Sequence, residues 1–546
     1  MSDISVRRSP LSWFEPSAVQ YVNLFGLKRI AFYFAGSCFP VGGSLARETF
    51  VFESDPLIYL QAAEIAENEK VKFALINPSP NEDLPEWESK RAIAAWPPLG
   101  ILYLATVLRE RGIEISVLDQ PAKGFTFEET VNWVEREDPD ILGFSTFASS
   151  GRTAGLLSNE MKKRNPNIVI VFGNYYATFS ADRVLRKYPS VDIIVRGEGE
   201  STVVDLAECL RKKDSLKDVL GITFRNEDKI VSTPDRPLIT DLDSIPFPDR
   251  SLIDVEYHSM VAGAQLATRR FTSIISSRGC TFRCRFCTCQ KFSLRSWRPR
   301  SVENVLGELR YLASEGFRQF IFVDDNFTLN QKRVIELCKS IRKEKLDMEW
   351  LCEGRVDNCP PEMLKQLSKA GCKVVYFGIE SGTQRILDYY DKGTSPEQSR
   401  RAVEKARMAG IDVIVGSFIL GAPDETREEI QNTLEFAKQL PIDLPQFNVL
   451  TAYPGMDIWD ELKTKGLLNE EDHWEEGILV SDFCPSAIPA QEIKQMIHET
   501  FHDFVLRPSY LLSQVRMSLK SPFRRRLVTG NLSRINYIID NINKIQ

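Results

Sequence analysis

Three cysteines, Cys280, Cys284 and Cys287, stand at C-x3-C-x2-C spacing in the stretch SSRGCTFRCRFCTC at residues 276–289. Thiolates this close on one loop converge on a soft metal centre. A structural zinc site takes four protein ligands, and a cubane iron–sulfur cluster likewise has four irons to ligate. Three cysteines leave one iron open, and an open iron can bind and reduce a substrate. A zinc knuckle with Cys289 as fourth ligand is the alternative. Arg283 and Arg285 set positive charge beside the thiolates, which eases electron uptake. The apolar run at residues 271–276 reads as a strand, so the fold must deliver this loop from a strand end.

A chain of 546 residues suggests two or three domains. Net charge −6 argues against a nucleic-acid footprint. No run of 18 apolar residues and no signal-peptide pattern is present, so a cytoplasmic protein without a transmembrane segment is expected. Eleven cysteines in such a chain argue against a disulfide framework. Cys338, Cys352, Cys359 and Cys372 read as small buried apolar residues. The basic residues 524–526 read as a solvated helix end, and His498 and His502 as a plain helix face without a metal motif.

Residues 1–69 read as an N-terminal extension, with a strand at 27–34 and a glycine-rich turn carrying Gly36, Gly42 and Gly43. From 70 to 212 strands alternate with helices, at residues 71–77, 113–118, 141–145, 168–173 and 192–196. That alternation predicts a parallel sheet of flavodoxin-like (Rossmann-type) order, with ligand at the carboxyl ends of the strands. The loops there are small and polar: Asn77 and Ser79, Ser145 and Thr146, Gly173 and Asn174, then Gly197, Glu198 and Gly199. Small residues let backbone approach a flat, bulky ligand. Residues 213–268 read as a connector, mostly extended chain.

Six further strand–helix units, over 269–465, predict a partial (β/α)6 barrel of TIM type with its chemistry at the C-terminal strand ends. Those ends carry Asp324 and Asp325, Glu353 and Arg355, Glu380 and Ser381, and Gly421. Paired carboxylates suit an amine or Mg²⁺. Arg355 suits a ligand carboxylate or its neighbour Asp357. Residues 466–546 read as a helical tail that closes the barrel mouth.

The cysteine spacing, with Phe286 before the last cysteine, resembles the radical S-adenosylmethionine (SAM) enzymes. The preceding block resembles the cobalamin-binding domain of one large subgroup, on W-P-P-L-G at residues 96–100 and R-G-E-G-E at 196–200. The resemblance implies a 4Fe-4S cluster on Cys280, Cys284 and Cys287, SAM on its open iron, and cobalamin in the first sheet. It implies Asp324, Asp325, Arg355, Glu380, Ser381 and Gly421 as SAM contacts. Asn77, Ser145, Thr146, Gly173, Asn174, Gly197 and Glu198 are the candidate cobalamin contacts. Other cobalamin proteins carry D-x-H-x-x-G after the second strand; here Pro121 takes the histidine position, so no histidine from this loop reaches cobalt.

The implied activity is C-methylation by way of methylcobalamin, on an unactivated carbon of a small-molecule or peptide substrate. A flavodoxin or ferredoxin is the implied external electron donor, under anaerobic conditions. Cyclisation or rearrangement by the same cofactors without net methyl transfer is the alternative. A methylthiotransferase carries three further cysteines before the barrel, whereas only Cys38 and Cys209 precede Cys280.

Overall fold

The computed structural model describes residues 71–80, 96–227, 229–261, 264–471 and 484–531. The chain divides into two compact units, Met1–Ser54 and Asp55–Gln546, and the described residues all belong to the second. The strand and glycine-rich turn expected within residues 27–43 lie outside the described residues.

The first sheet runs β2-β1-β3-β4-β5-β6-β7. Its strands are β1 Lys72–Asn77, β2 Glu114–Asp119, β3 Ile141–Ser145, β4 Val169–Gly173, β5 Ile193–Val195, β6 Ile222–Asn226 and β7 Lys229–Ser232. The first five are parallel. Strands covered on both faces read as unbroken apolar runs, as VIVFG of β4 does. The last two strands form an antiparallel hairpin on the sheet edge. They arise inside the expected connector, because Ile222 and Phe224 bury against Leu206 and Leu210. Those two leucines belong to helix α2, Glu200–Lys212, whereas α1 is Leu99–Glu110. Pro97 and Pro98 start α1, with Leu99 N bonded to Pro97 O. From α1, Leu99, Leu102 and Tyr103 pack into the core of the second sheet.

That second sheet has six parallel strands in chain order. They are β8 Phe271–Ile274, β9 Gln319–Phe322, β10 Glu349–Arg355, β11 Cys372–Glu380, β12 Val413–Leu420 and β13 Leu444–Val449. Alternation divides each strand between the helix layer and the bore. Ile414 and Phe418 pack with the helices, along with Cys338, Cys352, Cys359 and Cys372. Val413 and Val415 meet Phe271, Ile321, Leu351 and Val374 in the bore.

The tail corrects one expectation. Helix α3, Ala490–Leu506, covers the open side of the barrel through Ile493 and Met496 on Leu420, Ile430 and Leu434. Helix α4, Pro508–Lys520, follows, and Phe523 then enters the bore cluster from the N-terminal ends of the strands. Arg524 is buried on Asp443 at 2.6 Å, and Arg526 pairs with Glu349 at 2.6 Å. These arginines are therefore anchors, not a solvated helix end, because two carboxylates at the strand starts lie within their reach. Residues 521–531 seal the barrel floor, and among the described residues of the tail Cys484, Ser486 and Ile493 approach the mouth, against Gly421.

Candidate functional site

The cysteine loop leaves β8 over the C-terminal end of the barrel. Gly279 has a left-handed φ of +87°, and a Cβ there would lie 2.0 Å from Ser296 O, so the turn before Cys280 admits only glycine. Gly279 N donates to Asp325 Oδ2 at 2.7 Å. Asp324 is buried and accepts from Ser276 N, Ser276 Oγ and Ser277 Oγ at 2.6–2.7 Å. Burial pushes its carboxyl up against those bonds. The two neighbouring carboxylates thus divide their work: Asp324 fixes the strand end, and Asp325 fixes the turn and faces the cleft described below.

Donors aim at the sulfurs. Asn326 Nδ2 lies 3.7 Å from Cys280 Sγ, and Arg355 Nη1 lies 3.6 Å from Cys284 Sγ. Burial raises the Cys284 thiol, while Lys392 and Arg355 oppose that rise. Among the described residues no three Cys, His, Asp or Glu side chains are grouped around a single ion. A four-iron cube sets its thiolates at separate corners, so three thiols with amide and guanidinium donors at sulfur suit it. Cys289 is buried in the short helix Cys289–Phe292, 3.8 Å from Ser293 Oγ.

Arg355 is heavily committed. It makes a two-pronged pair with Asp357 at 2.9 and 3.0 Å, donates to Lys392 O, and lies 3.6 Å from the Phe282 ring centre. Of the two partners open to it in sequence, the geometry shows Asp357. Glu380 holds a left-handed φ of +65°, rare for a side-chain-bearing residue. It pairs with Lys392 at 2.6 Å, both side chains being buried. Ser381 Oγ is 3.0 Å from Thr433 Oγ1. Gly421 N and Ala422 N donate to Glu425 Oε2 at 2.7 and 2.9 Å. Burial pushes the Glu425 carboxyl up to about 7, and its other oxygen has no hydrogen-bond partner among the described residues. Glu353 alternates onto the bore side of β10 with Leu351, and its carboxyl is pushed up to about 7 by burial and by Asp325 and Glu380. Beside it the buried Tyr376 hydroxyl also lacks a partner among the described residues.

Across from the loop lies a cavity of about 290 Å³, lined by both sheets. The first sheet contributes Ser145, Gly173, Asn174, Gly197, Glu198 and Gly199; the barrel contributes Arg278, Gly279, Cys289, Phe292 and Asp325. A Cβ on Gly100 or Gly197 would meet nothing within 4 Å, and one on Gly173 only ordinary contacts near 3.8 Å. The missing side chains leave a smooth cradle, which suits a broad, flat ligand such as a corrinoid. Asn174 Nδ2 donates to Ser145 Oγ at 2.9 Å, whereas Thr146 is buried and donates to Gly173 O. Asn77 stands apart from this cavity, donating to Asp119 Oδ1 at 2.9 Å, while Tyr257 donates to the other Asp119 oxygen at 2.8 Å. Pro121 occupies the short helix Gln120–Lys123.

Sequence spacing did not disclose what joins the two halves. Glu198 takes both Arg298 nitrogens at 2.8 and 3.0 Å and Arg278 at 3.2 Å, and Glu200 takes Arg278 at 2.6 Å. Burial raises Glu198, but the two arginines hold it below the usual carboxylate range. Tyr175, in the short helix Asn174–Phe179 after β4, packs with its ring tilted 4.4 Å from that of Phe292, with Phe147 and Phe179 around it. The R-G-E-G-E phrase flagged Glu198 and Glu200, but partners about 80–100 residues away leave no spacing signal.

Comparisons with known proteins agree with this geometry. The radical SAM superfamily matches residues 274–437, and the B12 binding domain matches residues 92–207. An uncharacterized methyltransferase, PH0819 of Pyrococcus horikoshii, is 36% identical over 437 residues, 79% of this chain and 93% of that protein. The anaerobic magnesium-protoporphyrin IX monomethyl ester cyclase of Rubrivivax gelatinosus is 29% identical, over 81% of this chain and 82% of that one. The fold is shared with the radical SAM methyltransferase TsrM of Kitasatospora setae, solved with cobalamin and a 4Fe-4S cluster: TM-score 0.59, 18% identity, 72% and 75% of the two chains. It is shared too with the cobalamin-dependent radical SAM enzyme OxsB, at TM-score 0.56, 22% identity, 80% and 61%. With a thiol triad, a glycine-lined cleft and these relatives, the chain belongs to the cobalamin-dependent radical SAM enzymes, which use a 4Fe-4S cluster, SAM and cobalamin.

Proposed function

We propose that this enzyme is a C-methyltransferase that moves a methyl group from SAM to an unactivated carbon of a small-molecule or peptide substrate. The observation that carries this reading is the cavity lined jointly by the glycine cradle and the cysteine loop. When bound, the cluster supplies an electron for cleaving SAM, and cobalamin supplies a carrier for the methyl group.

The chain's own groups position, shield and neutralise. Cys280, Cys284 and Cys287 would hold the cluster, with Asn326 and Arg355 donating to two of the sulfurs. Asp325, the turn at Glu380 and Ser381, and the Gly421 turn would hold SAM. Ser145, Gly173, Asn174 and Gly197 would line the corrinoid. Glu198 and Glu200 act otherwise, clamping the cradle to the cysteine loop through Arg278 and Arg298. Tyr175 and Phe292 pack into the same seam and keep water from it. Placing three reactants in one dry cleft is the main work left to such a protein. An external flavodoxin or ferredoxin delivers the electrons.

The test is anaerobic reconstitution with iron, sulfide and cobalamin, followed by assay for deoxyadenosine and S-adenosylhomocysteine on a substrate panel. Methylation gives both. Deoxyadenosine with product but without S-adenosylhomocysteine would favour the second reading, cyclisation without methyl transfer, which the 29%-identical cyclase supports.

A further inference from the structure

Helix α4 is turned inside out relative to an ordinary surface helix. Its protein-facing side is half-buried and largely polar: Tyr510 donates to Asp443 O at 2.8 Å, and Gln514 donates to Asp443 Oδ1 at 3.1 Å. No residue of the helix is fully buried. The outward side carries Leu511, Leu512, Val515 and Leu519, exposed by 48%, 70%, 60% and 74%. At 3.6 residues per turn these four fall within an arc of about 100°, a continuous apolar stripe. Exposed stripes of this kind mark interaction sites.

Charge says what covers the stripe. The whole chain is acidic, at net −6, yet from Phe504 to Ile539 it holds seven Lys and Arg residues and no Asp or Glu. Arg524 and Arg526 are spent on Asp443 and Glu349. Arg516, Lys520 and Arg525 are exposed and have no acidic partner among the described residues. Arg525 caps the end of α4 through Ser518 O and Leu519 O, which brings its charge to the end of the stripe. Arg516 and Lys520 follow Leu512 and Val515 around one edge of the stripe. A second copy of this face would bring like charges together across an isologous contact. Exposed aliphatic side chains flanked by cations, on a convex helix, fit the headgroup layer of an anionic bilayer.

We propose that α4 docks this enzyme on the surface of an anionic lipid membrane, lying in the interface with Leu512, Val515 and Leu519 inserted and Arg516, Lys520 and Arg525 at the headgroups. Among the described residues no helix is long and apolar enough to cross a membrane, so the contact is peripheral. The helix lies beside the floor of the barrel, so docking leaves the cysteine loop at the opposite end of the barrel.

The experiment is co-sedimentation of the reconstituted full chain with vesicles of phosphatidylglycerol and phosphatidylcholine in equal amounts, against phosphatidylcholine alone. Binding to the anionic vesicles should be tenfold tighter or more and should fall as salt rises. L512D/L519D should abolish binding with melting temperature and iron content unchanged, since both side chains face out. R516Q/K520Q should weaken binding to anionic vesicles by roughly tenfold and leave binding to neutral ones unchanged. Absence of vesicle binding by the full chain overturns the proposal. So does equal binding to both lipids, or a concentration-dependent dimer that L512D/L519D dissolves, which would make the stripe a self-association face.

Discussion

The two sheets end in linings of opposite kinds. The first sheet ends in Gly173 and Gly197, where absent side chains make room. The barrel ends in Arg355 on Asp357 and Glu380 on Lys392, where charges are paired in a buried setting. A corrinoid is broad and nearly neutral, so shape suffices. A cluster and a sulfonium substrate are charged, so each buried ion needs a partner. The cradle should therefore tolerate loss of charge and fail on added bulk, and the barrel mouth should do the reverse.

The largest effect tests the mouth itself. Replacing Cys280, Cys284 and Cys287 together by alanine should abolish the iron–sulfur absorbance and all deoxyadenosine formation, while corrinoid retention persists. Loss of both cofactors at once would mean that the two ends are one site. Next comes Lys392→Met, which strands Glu380 at 5% exposure. Removing one member of a buried pair costs about 3–5 kcal/mol, read by urea unfolding. Gly173→Leu has ordinary backbone geometry, so the fold should survive with the cradle filled. Corrinoid affinity should fall about tenfold or more, roughly 1.4 kcal/mol, with iron content unchanged.

The smallest effect is a pH slope. The buried Glu425 carboxyl is pushed from 4.5 to about 7, so the folded protein keeps a proton that the unfolded chain has lost between those values. Stability from this group is full below about 4.5 and is lost as pH rises through about 7. Glu425→Gln keeps an acceptor for Gly421 N and Ala422 N and should remove that decline, a gain on the order of 1–3 kcal/mol above pH 7 in thermal unfolding.

Most of the architecture was legible because it is written locally. Strand runs, the proline start of α1 and the cysteine spacing each sit within a few residues. The three-cysteine loop and the small loops of the first sheet were found for that reason. Long-range choices were not legible. Nothing near Glu198 announces Arg298, nothing near Tyr175 announces Phe292, and nothing near Asp443 announces Arg524. Arg355 shows the same limit from the other side, since the chain offered Asp357 two residues on and the fold took it. The tail was expected at the mouth because its helical pattern says that it packs, not against which end. The hairpin of β6 and β7 was missed because a short edge pair leaves only a weak alternation.

The floor plug also bears on how the enzyme is made. Phe523 completes a cluster that begins with Phe271, and Asn531 bonds Gln265 in both directions. Domains form as the polypeptide emerges from the ribosome, earliest segments first. The first sheet can mature during synthesis, but the barrel waits for residues made some 250 positions after its opening strand. Cluster insertion into a closed barrel is thereby placed after the docking of Phe523 and Asn531 on its floor.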